Sequence, residues 1–119
     1  MKINKEKLWN ILEKYDKLKV IICCVPPTMN REYFEKLHGP ITHEFPFIGN
    51  NIQRSLFTRL INLELKKKCI DNNFYYLDFY DFYANDEGTL KVELSDNNVH
   101  ILENSIILNK LYEMIDNIN

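Results

Sequence analysis

Glycine is scarce: there are three in 119 residues, at positions 39, 49 and 88, and no two lie close together. No glycine-rich turn follows the first apolar run, which argues against the phosphate-cradling loop of a nucleotide-binding module. Cysteine occurs three times. An odd count with Cys23 and Cys24 adjacent is neither a disulfide framework nor a zinc-ligand spacing. Free thiols point to a reducing, cytoplasmic setting. No apolar run approaches the roughly 20 residues that a bilayer-spanning helix needs. The polar, charged start is unlike a signal peptide, so no membrane partner is expected. The net charge of −2 and the lack of a basic stripe argue against nucleic acid. The one positive run, Lys66, Lys67 and Lys68, falls late in an expected helix, where cations suit the dipole and stay solvated.

What is present is enough apolar material for a core. Hydrophobic residues make up 45% of the chain and aromatic residues 13%. Residues 1–119 therefore read as a single packed domain. Residues 5–15 have helical spacing, with Leu8, Ile11, Leu12 and Tyr15 on one face and Asn4 as cap. Residues 18–25 form a continuous β-branched run stopped by Pro26-Pro27, the pattern of a parallel strand buried on both faces. Cys23 and Cys24 should point to opposite faces of it. Thr28 or Asn30 is placed to cap a short helix carrying Tyr33, Phe34 and Leu37, which Gly39-Pro40 ends.

Asn50 or Asn51 caps the longest expected helix, which runs to about Asn72. Its apolar stripe is Ile52, Leu56, Leu60 and Leu63, widened by Phe57 and Ile61. Residues 74–79 read as the second strand, Asp86-Glu87-Gly88 as a turn and residues 90–94 as a short third strand. A last helix over residues 103–116 turns Ile107, Leu111, Met114 and Ile115 inward. In the aromatic run, Tyr75 to Tyr80 reads as sheet and core packing, and Phe82 and Tyr83 as a partner surface. A strand, a helical crossover and a second strand make a βαβ unit, so the class is α/β. Two parallel strands are a marginal sheet alone. Association is therefore expected, as a homo-oligomer or with a second polypeptide that completes the sheet.

Candidate chemistry lies near the C-terminal end, in Leu94-Ser95-Asp96-Asn97-Asn98-Val99-His100-Ile101. A histidine can take a proton from a nucleophile while an acid holds its tautomer and stabilises its charged form. Asp96 and His100 are close enough in sequence for one loop to join them. Asp96, Asn97 or Asn98 equally suits a cap for the terminal helix. His38 and His43 straddle Gly39-Pro40 and do not have the spacing of a helical metal pair. Ser55 lies inside a helix, Ser95 abuts the acid and Ser105 opens a helix, so none reads as a nucleophile. Cys23 and Cys24, inside a strand, behave as small hydrophobes.

Several segments in order resemble the C-terminal half of the SGNH (GDSL-type) hydrolases. They are the strand ending in Val25-Pro26-Pro27; Arg54, Asn62, Leu65 and Cys69 on the long helix; the strand ending at Asp78; Gly88 and Leu90; and the 95–101 block. The resemblance implies a partial three-layer α/β/α, flavodoxin-like unit with its small parallel sheet flanked by helices. It implies ester hydrolysis on simple acetyl-type esters without metal or organic cofactor. His100 is then the base, with Asp96 or Asn97 orienting it. The family's closing block is Asp-x-x-His. Here three residues separate Asp96 from His100, and Asn97 takes the usual acid position. The family's Gly-Asp-Ser nucleophile block is absent from these 119 residues, and Gly49-Asn50-Asn51 reads as helix capping. Two functions follow: half of a split esterase that takes its serine from another chain, or an inactive hydrolase remnant that serves as an interaction module.

Overall fold

The computed structural model describes residues 6–7, 19–42 and 47–118. The expected helix over 5–15 and His43 lie largely or wholly outside them. Strand β1 (Ile21–Cys23) pairs in parallel with β2 (Tyr75–Leu77), in the register Ile21↔Tyr75, Ile22↔Tyr76, Cys23↔Leu77. Among the described residues this two-stranded sheet has no further strand. The crossover holds helices α1 (Arg31–His38) and α2 (Asn51–Asp71). The short helix α3 (Tyr80–Tyr83) follows β2, and α4 (Ser105–Ile118) closes the chain. The molecule is thus an α/β protein built on a small parallel sheet. Cys24 is buried and Cys23 exposed, so the adjacent thiols do face opposite ways, but Ile21 and Ile22 are only half-buried and β1 is not the strand buried on both faces that its sequence suggests.

The helix starts follow from local capping. Asn30 Oδ1 accepts the Tyr33 amide at 3.0 Å, and Gly39 at φ 87° ends α1. Asn50 and Gln53 form a reciprocal capping box at the start of α2. Asn104, rather than any residue of 96–98, accepts the Ile106 amide at the start of α4.

Other expectations fail. Residues 90–94 are not a strand, because their backbone donors go to separate segments. Leu90 donates to Thr28 O and Lys91 to Tyr83 O, and Val92–Leu94 closes into a 3-10 turn. Tyr83 is fully buried, packed edge-on to Phe79, so it lines no partner surface. Ile115 on α4 is exposed, while Ile107, Leu111 and Met114 pack on the core.

The largest departure is α2, which is turned the other way round. Its expected stripe faces solvent, with Ile52 at 77% and Leu63 at 68% exposure, and Leu56, Phe57, Leu60 and Ile61 also exposed. Arg54, Ser55, Thr58 and Cys69 face inward instead. The reason is what the inner face meets. Arg54 Nη1 donates to Met29 O at 3.1 Å, Ser55 Oγ to Gly88 O at 3.2 Å, and Asn62 Nδ2 to Val25 O at 2.8 Å. Loop carbonyls leaving the sheet need donors, and leucines have none. Arg54 also stacks on the Phe47 ring, 4.7 Å from its centroid.

Candidate functional site

Residues 95–101 form a closed loop. Ser95 and Ile101 make an antiparallel bridge, and Asp96 N–H donates to His100 O at 3.0 Å. Leu102 N–H donates to Leu94 O at 2.8 Å, and Tyr83 Oη donates to Leu102 O at 2.6 Å, which fastens the loop's exit to the buried α3. Within this frame the Asp96 carboxylate turns back on the loop. Its Oδ1 accepts the Asn98 amide at 2.8 Å and the His100 amide at 3.2 Å. Its Oδ2 lies 3.1 Å from His100 Nδ1.

Desolvation pushes the Asp96 carboxyl up. The Asn98 and His100 amides and the His100 ring outweigh it and hold the group below its ordinary range. An ionised carboxylate can only accept, so Nδ1 of His100 must carry the proton. In the neutral ring Nε2 is then left as a bare lone pair. The imidazole is 74% exposed, so that lone pair opens to solvent. An oriented imidazole with a free Nε2 beside an ionised carboxylate has the geometry that lets a histidine accept a proton.

Asn97 does not reach the imidazole. It takes the left-handed backbone at φ 62°, a conformation asparagine tolerates better than most residues. Its side-chain Oδ1 accepts from Tyr33 Oη at 3.2 Å. Its carbonyl accepts from His38 Nε2 at 2.6 Å, which requires that nitrogen to carry a proton. Of the two orienting candidates, Asp96 is therefore the one in contact with His100, and Asn97 joins the loop to α1. His38 ends α1 exposed, its ring tilted 38° against that of Phe34 with centroids 4.5 Å apart. Sequence reasoning missed both anchors, Tyr33 and His38. Tyr33 reads as part of an apolar face and His38 as a loop histidine, and no pattern in the chain links residues 59 to 64 positions apart.

None of the three serines is placed as a nucleophile. Ser55 Oγ donates to Gly88 O, Ser95 Oγ to Val92 O at 2.8 Å, and Ser105 opens α4. Burial pushes the Cys24 thiol up to about 11, and its sulfur accepts the Phe79 amide at 3.4 Å. That thiol stays protonated near neutrality, when the thiolate is the reactive form. Among the described residues no group of three or more His, Cys, Asp or Glu side chains is arranged to hold a metal ion. No described helix is long and apolar enough to cross a membrane. No protein-family model, curated protein or solved structure matches the chain.

Proposed function

We propose that this chain carries the base and its orienting acid for an SGNH-type ester hydrolase, with the nucleophilic serine supplied from outside these 119 residues. The observation that carries the reading is the 3.1 Å contact between Asp96 Oδ2 and His100 Nδ1, with the other ring nitrogen turned to solvent. In this reading His100 Nε2 takes the serine proton as the hydroxyl attacks the ester carbonyl. It then returns the proton to the departing alkoxide. Asp96 stabilises the imidazolium that forms between the two steps. Asn97 positions the loop through Tyr33 and His38.

The same partner supplies the oxyanion hole, whose individual donors are typically worth about 100- to 1000-fold in rate. It also supplies strands beside β1, so that the two parts complete a three-layer α/β/α unit. The substrates in this reading are simple acetyl esters, such as those on carbohydrate. The reaction needs no metal or organic cofactor, and the setting is cytoplasmic.

The test is co-expression with the polypeptide encoded immediately upstream, assayed on p-nitrophenyl acetate. The complex turns over, neither part does so alone, and His100→Ala abolishes turnover. A complex that forms but is inactive, or whose turnover is indifferent to His100→Ala, contradicts the proposal.

A further inference from the structure

Among the described residues, helix α2 has a satisfied polar inner face and an uncovered apolar outer face. Its inner face is polar and already bonded to loop carbonyls. Its outer face carries Ile52, Leu56, Phe57, Leu60, Leu63 and Ile70, all exposed. Leu56, Leu60, Leu63, Lys67 and Ile70 succeed one another at alternating steps of four and three residues. That is the seam of a helix packed lengthwise against another helix. Its 21 residues give a stripe about 30 Å long. An apolar stripe of this kind, continuous and at helix-packing spacing, marks an interaction surface.

Charge along the same helix selects the occupant. At its C-terminal end stand Lys66, Lys67 and Lys68. At its N-terminal end, Glu32 and Glu87 flank Ile52 around an open hollow. Glu32 stays ionised, because its hydrogen bonds and, to a lesser degree, the nearby Arg31 and Arg54 outweigh desolvation. Its own backbone N–H, ahead of the Asn51 amide at 2.6 Å, holds its carboxyl below the ordinary range. A second copy laid antiparallel brings each lysine end onto the other's acidic end, and it aligns the two helix dipoles favourably.

We propose that the outer face of α2 is a two-fold interface for a second copy of this chain, antiparallel and centred between Leu60 and Leu63. In that register Leu60 meets the partner copy's Leu63, and Lys67 lies over the partner copy's Leu56. Its aliphatic stem stays on the leucine while its ammonium reaches the acidic end. The contact is isologous, so it closes at two copies. It uses neither the 95–101 loop nor β1, and it does not depend on the hydrolytic reading.

Sedimentation equilibrium of the full chain at about 10–100 µM tests the proposal. A dimer is expected, and Leu60→Glu weakens it by about 100-fold while far-ultraviolet circular dichroism stays unchanged, because position 60 is exposed. Lys67→Glu and Glu87→Lys each weaken the dimer, and together they restore part of it. A monomer across the range overturns the proposal, as does a dimer indifferent to Leu60→Glu. A dimer that Lys67→Glu tightens contradicts the antiparallel arrangement, since parallel helices would place the two Lys67 side chains together.

Discussion

The side-chain amide of Asn62 closes both backbone groups of Val25. Its Oδ1 accepts the Val25 N–H at 2.7 Å, and its Nδ2 donates to the Val25 carbonyl at 2.8 Å. Val25 lies two residues past the end of β1 and just before Pro26, so this pair ties the segment leaving the strand to α2. Asn62→Ala leaves both backbone groups to solvent and should lower stability by about 1–2 kcal/mol in urea unfolding. Asn62→Asp should cost more at neutral pH, because a carboxylate then faces the Val25 carbonyl. Equal stabilities for the two variants would contradict this account of the strand end.

The tie between α1 and the 95–101 loop predicts how the loop is ordered. His38→Ala leaves the Asn97 carbonyl without its donor, and Tyr33→Phe does the same to the Asn97 side chain. Each should speed hydrogen exchange at the Asn98 and His100 amides by about 3- to 10-fold, which corresponds to the loss of roughly one hydrogen bond. The Val25 amide, which is held by Asn62 and not by α1, should not change. Exchange that is unaltered in the loop would remove both residues from its support.

The Asp96 carboxyl is held below its ordinary 3.8 in the folded chain. A depressed acid contributes order that is present above its unfolded value and is lost as pH falls through the folded one. The Asn98 and His100 amide resonances should therefore reflect an unprotonated Asp96 at pH 5 and respond to it with a midpoint below 3.8. Asp96→Asn should remove that acid transition. A midpoint at or above 3.8 would mean that the two amides do not hold the carboxylate.

Gly88 sits at φ 83°, and a Cβ there would collide with Ser55 Oγ. Its carbonyl accepts from Ser55 Oγ at 3.2 Å and Tyr80 Oη at 2.9 Å. Gly88→Ala should cost about 2–4 kcal/mol from left-handed strain and the clash together. Ser55→Ala should cost about 1 kcal/mol, since Tyr80 still bonds the carbonyl. The double variant should cost less than the two separately, because the colliding oxygen is gone. Strict additivity in denaturant unfolding would contradict the close approach.

The elements that depend on neighbours in sequence were legible. Asn30 and Asn50 announce helix starts, Gly39 announces a helix end, and the β-branched run into Pro26 announces a strand. The parallel pairing also followed, since a helical crossover leaves little other choice. The inward face of α2 was not legible from hydrophobicity. That face is set by carbonyls of Val25, Met29 and Gly88, which come from loops far away in sequence. At the candidate site, the nearness of Asp96 and His100 was readable as a possibility of four-residue spacing. That Asp96 rather than Asn97 touches the ring depends on the left-handed turn at Asn97 and on Tyr33 and His38, which only the folded chain brings there.

The most direct measurement is the tautomer of His100 in the neutral ring, read from its imidazole 15N resonances. With the Asp96 carboxylate accepting from Nδ1, the proton resides on Nδ1 and Nε2 is bare, and Asp96→Ala shifts the population toward the Nε2-protonated form. An intact chain whose His100 already holds its proton on Nε2, or whose tautomer ignores Asp96→Ala, would contradict the claim that this loop poises a base.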